Sequence, residues 1–256
     1  MKKSVGFIGG GRITRILLQA FCNKDVMFNK VVVTDPNIDV TSKLKKEYPF
    51  ISVGGASVAA SQEIVFISLH PPVIMETLEI LSKNIEPNAT VISLAPKIKI
   101  DKIASKLEHV KNIARLIPNA TSYINDGFNP VCFSKQFDTL TKNSILDLLK
   151  NLGHTFEAAE EKLESYAIVS AMLPTYFWFQ FNYLEEIGVQ TGLTPSEAEA
   201  SVHQTLLAAI NLMYNSELKP EEVMDLIPVR PIGEHETQIT EIYKNRLITL
   251  FEKIRP

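Results

Sequence analysis

Val5-Gly6-Phe7-Ile8-Gly9-Gly10-Gly11-Arg12-Ile13-Thr14 decides how the rest of the chain is read. An apolar β-forming run meets three glycines and opens into a helix-periodic stretch over residues 13–22. Gly9 permits the tight turn and Gly11 lets a diphosphate approach the backbone. The amides that follow, beginning with Arg12 and Ile13, and the dipole of their helix favour its negative charge. Thr14 stands where a third glycine would pack helix against strand, so it either widens that contact or uses its hydroxyl locally. A glycine turn without a ligand is the alternative, and the strand-turn-helix placement favours the phosphate-binding reading.

Working outward, residues 31–34 form a second β-rich run that ends at Asp35, twenty-four positions after Gly11. A carboxylate there accepts hydrogen bonds from ribose hydroxyls and repels a 2′-phosphate, which favours NAD. Asn37 is a cofactor-binding candidate beside Asp35, an Asx turn over Pro36 and Asn37 explains Asp35 equally well, and Lys43, Lys45 and Lys46 keep NADP open. Further apolar runs at residues 64–69, 91–94, 113–117 and 131–133 alternate with helical stretches at 72–81, 100–107 and 140–152. A short run at 155–158 closes the series. Such alternation predicts a mostly parallel sheet with crossover helices, and a dinucleotide-binding domain over residues 1–158.

From residue 159 to 256 the pattern is helical only, with helices predicted over 161–188, 195–215, 220–226 and 236–254. Thr194-Pro195-Ser196-Glu197 carries an N-cap, an N1 proline and an early acid, while Gly188 and Gly192 end the preceding helix. The expected fold class is therefore α/β, a Rossmann-type doubly wound sheet followed by an all-helical domain. Residues 167–184 carry no charge, yet Ser170, Pro174, Thr175, Gln180 and Asn182 interrupt them. That favours a helix buried on all sides over a membrane span.

Lys plus Arg number 26 against 29 Asp plus Glu, a net charge of −3, so no global positive field attracts nucleic acid. Cys22 and Cys132 lie far apart without ligand spacing, which argues against a disulfide framework and a metal site. Gly9 to Gly11 and Arg12 cut short the apolar run after Met1-Lys2-Lys3, so it does not read as a signal peptide and a cytoplasmic protein is expected.

Together these residues resemble the pyrroline-5-carboxylate reductases, which reduce a cyclic imino acid to proline with a nicotinamide cofactor. Val5 to Gly11 is similar to that family's opening, Ile67-Ser68-Leu69-His70-Pro71 to its fourth-strand segment, and Val91-Ile92-Ser93-Leu94-Ala95 to the next strand. Ala114-Arg115-Leu116-Ile117-Pro118-Asn119 resembles its Arg-Val-Met-Pro-Asn segment. Pro174-Thr175-Tyr176 and Gly188-Val189-Gln190-Thr191-Gly192-Leu193 resemble parts of its helical dimerisation domain. The resemblance implies that Leu69, His70, Pro71 and Ala95 border the nicotinamide, and that the uncharged helix is buried in an interlocked homodimer, or a higher oligomer built from it. Departures cluster on the substrate side: Ala171-Met172-Leu173 replaces Gly-Ser-Gly, Arg230-Pro231-Ile232-Gly233-Glu234 replaces a Pro-Gly-Gly-Thr-Thr motif, and Lys97 replaces a glycine.

The catalytic candidates are His70, Asn119, Thr175 and Arg230. His70 is weighed as proton donor or cofactor-stacking ring against a helix-capping histidine, and Asn119 as a cleft residue against a turn former. Arg230 is weighed as a bidentate carboxylate grip against a surface ion pair, beside Glu234 and His235, which read as a solvated helix start. The reaction expected is hydride transfer to the C=N of a small cyclic imino acid or related imine. A β-hydroxyacid-type dehydrogenase is the enzymatic alternative, demoted because no lysine lies between Ser165 and Glu186. A non-catalytic cofactor-binding protein is the other.

Overall fold

The computed structural model describes residues 2–256. Eight strands form one sheet: β1 Ser4–Ile8, β2 Lys30–Thr34, β3 Ser52–Val53, β4 Ile64–Ile67, β5 Thr90–Ser93, β6 Asn112–Leu116, β7 Gly127–Phe133 and β8 Gly153–Glu157. The helices between them are α1 Arg12–Asn23, α2 Ile38–Glu47, α3 Ala56–Ala60, α4 Pro71–Leu81, α5 Ile100–Ala104 and α6 Thr139–Leu149. After β8 come α7 Leu163–Tyr166, α8 Pro174–Gln190, α9 Pro195–Asn215, α10 Pro220–Asp225 and α11 Glu236–Ile254.

The strand order is β3-β2-β1-β4-β5-β6-β7-β8. The chain order therefore reverses beside β1, between β2 and β4, and the carboxyl ends of these strands form the crevice of a doubly wound sheet. Alternate residues of one strand enter separate cores. Val65 and Ile67 pack with Ile74 and Leu78 of α4, whereas Ile64 and Phe66 pack with Leu17, Leu18 and Phe21 of α1.

β7 departs from the expected parallel run by pairing antiparallel with β6, Arg115 opposite Cys132. Only a short 3-10 turn, Ala120–Ile124, lies between the two strands, too little chain for the crossover that parallel pairing needs. β8 then pairs parallel with β7 through α6.

The helix expected over 161–188 is broken. A 3-10 turn, Glu160–Lys162, leads into α7. The backbone then widens into a π-helical turn, Ala167–Ala171, before α8 starts at Pro174. Proline cannot continue an incoming helix because its nitrogen has no proton to donate and its ring clashes with the preceding turn. α8 also runs past Gly188, where a Cβ would stand 2.9 Å from that of Ala198, so this glycine sets a close approach of α8 to α9. Gly192 ends the turn with φ +110°. Thr194 and Glu197 cap α9 reciprocally, as their order in sequence predicts.

The chain divides into two compact units, Met1–Met172 with Leu250–Pro256, and Leu173–Thr249. The strand signal ends near 158, but the sheet unit extends to Met172 because Leu163 and Ala167 belong to its core. In the second unit Phe177, Trp178, Phe179, Tyr183 and Leu184 are exposed, so the chain does not itself bury the uncharged helix as its composition suggested. No helix among the described residues is long and apolar enough to cross a membrane.

Candidate active site

The end of β1 and the start of α1 build the first wall. Gly9 has φ +103°, and a Cβ there would lie 2.4 Å from the Ser68 carbonyl oxygen, so only glycine lets this turn touch the end of β4. A Cβ at Gly11 would meet nothing within 4 Å, and no side chain caps the first turn of α1. Open space above uncapped helical amides is the cradle a diphosphate requires. Arg12 is exposed and Ile13 partly so at this helix start. Thr14 is fully buried and its hydroxyl donates to the Gly9 carbonyl at 2.6 Å, so in place of a third glycine it braces the turn from beneath.

Asp35 joins β2 to the same turn. Its Oδ2 accepts from the Gly10 amide at 2.8 Å and its Oδ1 from the Asn37 amide at 2.9 Å, while the Asn37 side chain caps α2. The Asx turn considered from sequence is therefore present. A carboxylate has about four acceptor positions, and these two bonds leave room for ribose hydroxyls. Gly9, Gly11, Asp35 and Leu69 thus meet at the strand-order reversal, Leu69 through a Cδ2 only 3.2 Å from a Cβ built on Gly9.

His70 stands exposed at the N-cap position of α4, before Pro71. Its imidazole makes no capping bond, so the capping-histidine explanation does not describe it. Ala95, buried at the end of β5, belongs to the neighbouring turn. Asn119 is committed to the fold: its Nδ2 donates to the Ser170 carbonyl at 3.1 Å, and its Oδ1 accepts from the amide and hydroxyl of Thr121. It ties the 3-10 turn before β7 to the π-helical turn.

Thr175 and Arg230 belong to the second unit. Thr175 is exposed on the first turn of α8. Arg230 is exposed and gives Nη2 to the Met224 carbonyl at 3.3 Å; among the described residues it forms no ion pair with a neighbouring acid, the simpler role weighed for it. The nearby acid Glu234 instead lies 3.5 Å from His235.

Arg115, Glu160 and Glu164 form a buried cluster whose importance is not apparent in the motif spacing. Arg115 is fully buried and donates to Glu160 at 3.0 Å and to Glu164 at 2.5 Å. Each glutamate also holds the turn after β5: Glu164 Oε1 accepts from the Lys97 amide at 2.9 Å, and Glu160 Oε1 from the Ile100 amide at 2.7 Å. The readable signal was a lone arginine in a strand that is otherwise buried, which demands a partner, and two glutamates four residues apart that share one helical face. Cys132, opposite Arg115, has its thiol pushed up to about 12 by burial and is unreactive there.

Residues 4–97 match the family model described as NADP oxidoreductase coenzyme F420-dependent, and residues 160–247 match the model for pyrroline-5-carboxylate reductase dimerisation. A pyrroline-5-carboxylate reductase of Staphylococcus aureus is 22% identical over 96% of this chain and 92% of its own length. The chain is thus similar over nearly its whole length to pyrroline-5-carboxylate reductases. A family member from Corynebacterium melassecola is 23% identical, over 86% of this chain and 83% of its own. Among solved structures, the Plasmodium falciparum pyrroline carboxylate reductase with NADP bound superposes with a TM-score of 0.83 at 18% identity, covering 99% of this chain and 97% of that one. The Coxiella burnetii pyrroline-5-carboxylate reductase superposes at 0.72 with 24% identity, covering 99% and 95%. The fold of those two structures therefore extends through both units of this chain.

Proposed function

We propose that the protein is an NAD(P)-dependent reductase that transfers hydride to the C=N bond of a small cyclic imino acid or related imine. The observation that carries this reading is the open, uncapped glycine turn at the strand-order reversal, in a chain aligned over nearly its whole length with pyrroline-5-carboxylate reductases. The nicotinamide cofactor, when bound, supplies the hydride. The chain's own part is positional. The amides opening α1 hold the diphosphate, Asp35 receives the ribose hydroxyls, and Leu69, His70, Pro71 and Ala95 border the nicotinamide. A protonated iminium is already activated toward hydride, so no strongly acidic side chain is required. The exposed imidazole of His70 is the group assigned here to hold a proton at this edge.

The functional unit is a homodimer joined through the helices of Leu173–Thr249. The dimerisation-model match and the apolar side chains exposed along α8, α9 and α11 support this reading. Oxidation of NADH and NADPH with pyrroline-5-carboxylate, run beside calorimetric titration of each cofactor, tests the activity. Turnover supports the reading, and tight cofactor binding without turnover on this or any other cyclic imine overturns it. Asp35→Ser is expected to weaken NADH binding about tenfold and to improve NADPH binding. An unchanged preference would remove the ribose role.

A further inference from the structure

The turns that follow β4 and β5 border a hollow of about 600 Å³ at the carboxyl edge of the sheet. One side is the first turn of α4 at Pro71 and Pro72. Lys97, Lys99 and Lys102 line the other with Asp101, the one acidic side chain among them, and Pro256 also borders the hollow. No ion pair among the described residues engages any of the three ammonium groups. Three ammonium groups against one carboxylate leave the lining side chains net positive, which favours an anion in the hollow.

The lysines are also held on a fixed backbone. Lys97 has φ +77°, a left-handed conformation that a side chain disfavours and that persists only where the surroundings impose it. Here Glu164 and Glu160 impose it, by accepting from the amides of Lys97 and Ile100 while Arg115 anchors both carboxylates from beneath. Pro71, next in the chain to His70, lines the hollow, and Lys97 follows Ala95 by two residues.

We propose that Lys97, Lys99 and Lys102 form a docking site for an anionic group, carboxylate or phosphate, that the substrate carries beyond its imine. The substrate assignment rests on the reductase reading, whereas the anion site itself stands on the hollow and its lysines. The test titrates the full chain with inorganic phosphate and, separately, with succinate, following binding by calorimetry at low and raised salt. The variants are Lys97→Ala/Lys99→Ala/Lys102→Ala and a charge-matched control, Lys24→Ala/Lys83→Ala/Lys135→Ala.

Binding of at least one probe is expected to weaken about tenfold in the first variant and with added salt, and to stay within about twofold in the control. NADH affinity should be unchanged in both. Preference for phosphate or for succinate identifies the anion type, and inhibition competitive with the imine supports the substrate assignment. Equal binding by both variants, or no binding by the unmodified chain, overturns the site. Displacement of the probe by NADH overturns the substrate assignment, because the anion would then occupy cofactor space. Lysine-dependent binding without any imine turnover would remove the reductase reading and leave the anion site standing.

Discussion

The sheet unit encloses apolar side chains on both faces of its strands, with Val65, Ile67, Phe7 and Phe66 all fully buried. In Leu173–Thr249 the one buried residue among those described is Ala198, while Phe179 is 67% exposed and Tyr183 59%. Apolar content does not separate the two regions so much as geometry. A sheet covered on both sides can close a core within one chain, whereas a few long helices expose more apolar surface than they can cover for one another. In the proposed homodimer the helical unit would derive its stability from association, whereas the sheet unit carries its own core.

Four variants break or sharpen this contrast. The largest effect is expected from Phe179→Asp combined with Tyr183→Asp, since a symmetric dimer meets each change twice. Association should weaken by about 4 kcal/mol or more, enough to yield single chains at micromolar concentration by sedimentation. An unchanged assembly mass would refute the idea that this face is the interface.

Arg115→Ala acts on the self-contained half. It strands Glu164, 2% exposed, without its counter-charge, and should cost about 3–5 kcal/mol in urea unfolding with assembly mass preserved. A loss below about 1 kcal/mol would show that water compensates the cluster.

Gly9→Ala follows, because the new methyl group would press on the Ser68 carbonyl at a φ of +103°. A loss of about 2 kcal/mol and at least about tenfold weaker cofactor binding are expected from calorimetry and melting. Normal cofactor affinity would separate the turn from the cradle.

Glu47→Gln should have the smallest effect. The Arg15 hydrogen bond holds the Glu47 carboxyl below its ordinary value, so its stabilisation is complete above that value and is lost as pH falls through the depressed one. This pair is largely exposed, so melting should differ by less than about 1 kcal/mol at neutral pH, with the difference vanishing in acid. A difference that grew as pH fell would contradict the assigned sign.

The glycine turn, the alternation of strands and helices, and the capped start of α9 were legible because each rests on local chemistry. A positive φ, a period of two or 3.6, and a Thr194-to-Glu197 cap involve residues close in sequence. The reversed β7, the break before Pro174 and the site cluster were harder to read. The reversal of β7 follows from how little chain separates it from β6. The π-helical turn depends on Ser170, whose side chain and carbonyl receive the Asn119 amide from another segment. The roles of Glu160 and Glu164 arise only when α7 meets the buried arginine of β6.

By itself the sequence determined the class of the fold and the glycine turn after its first strand, since these depend on residue types at short fixed spacing. Tertiary structure alone decided that Asp35 binds the Gly10 amide, that Thr14 braces the turn, and that Arg115 with two glutamates holds the lysine-bearing turn. The reason is physical: such contacts depend on long-range packing, which brings donors and acceptors together across tens of residues that no local period records.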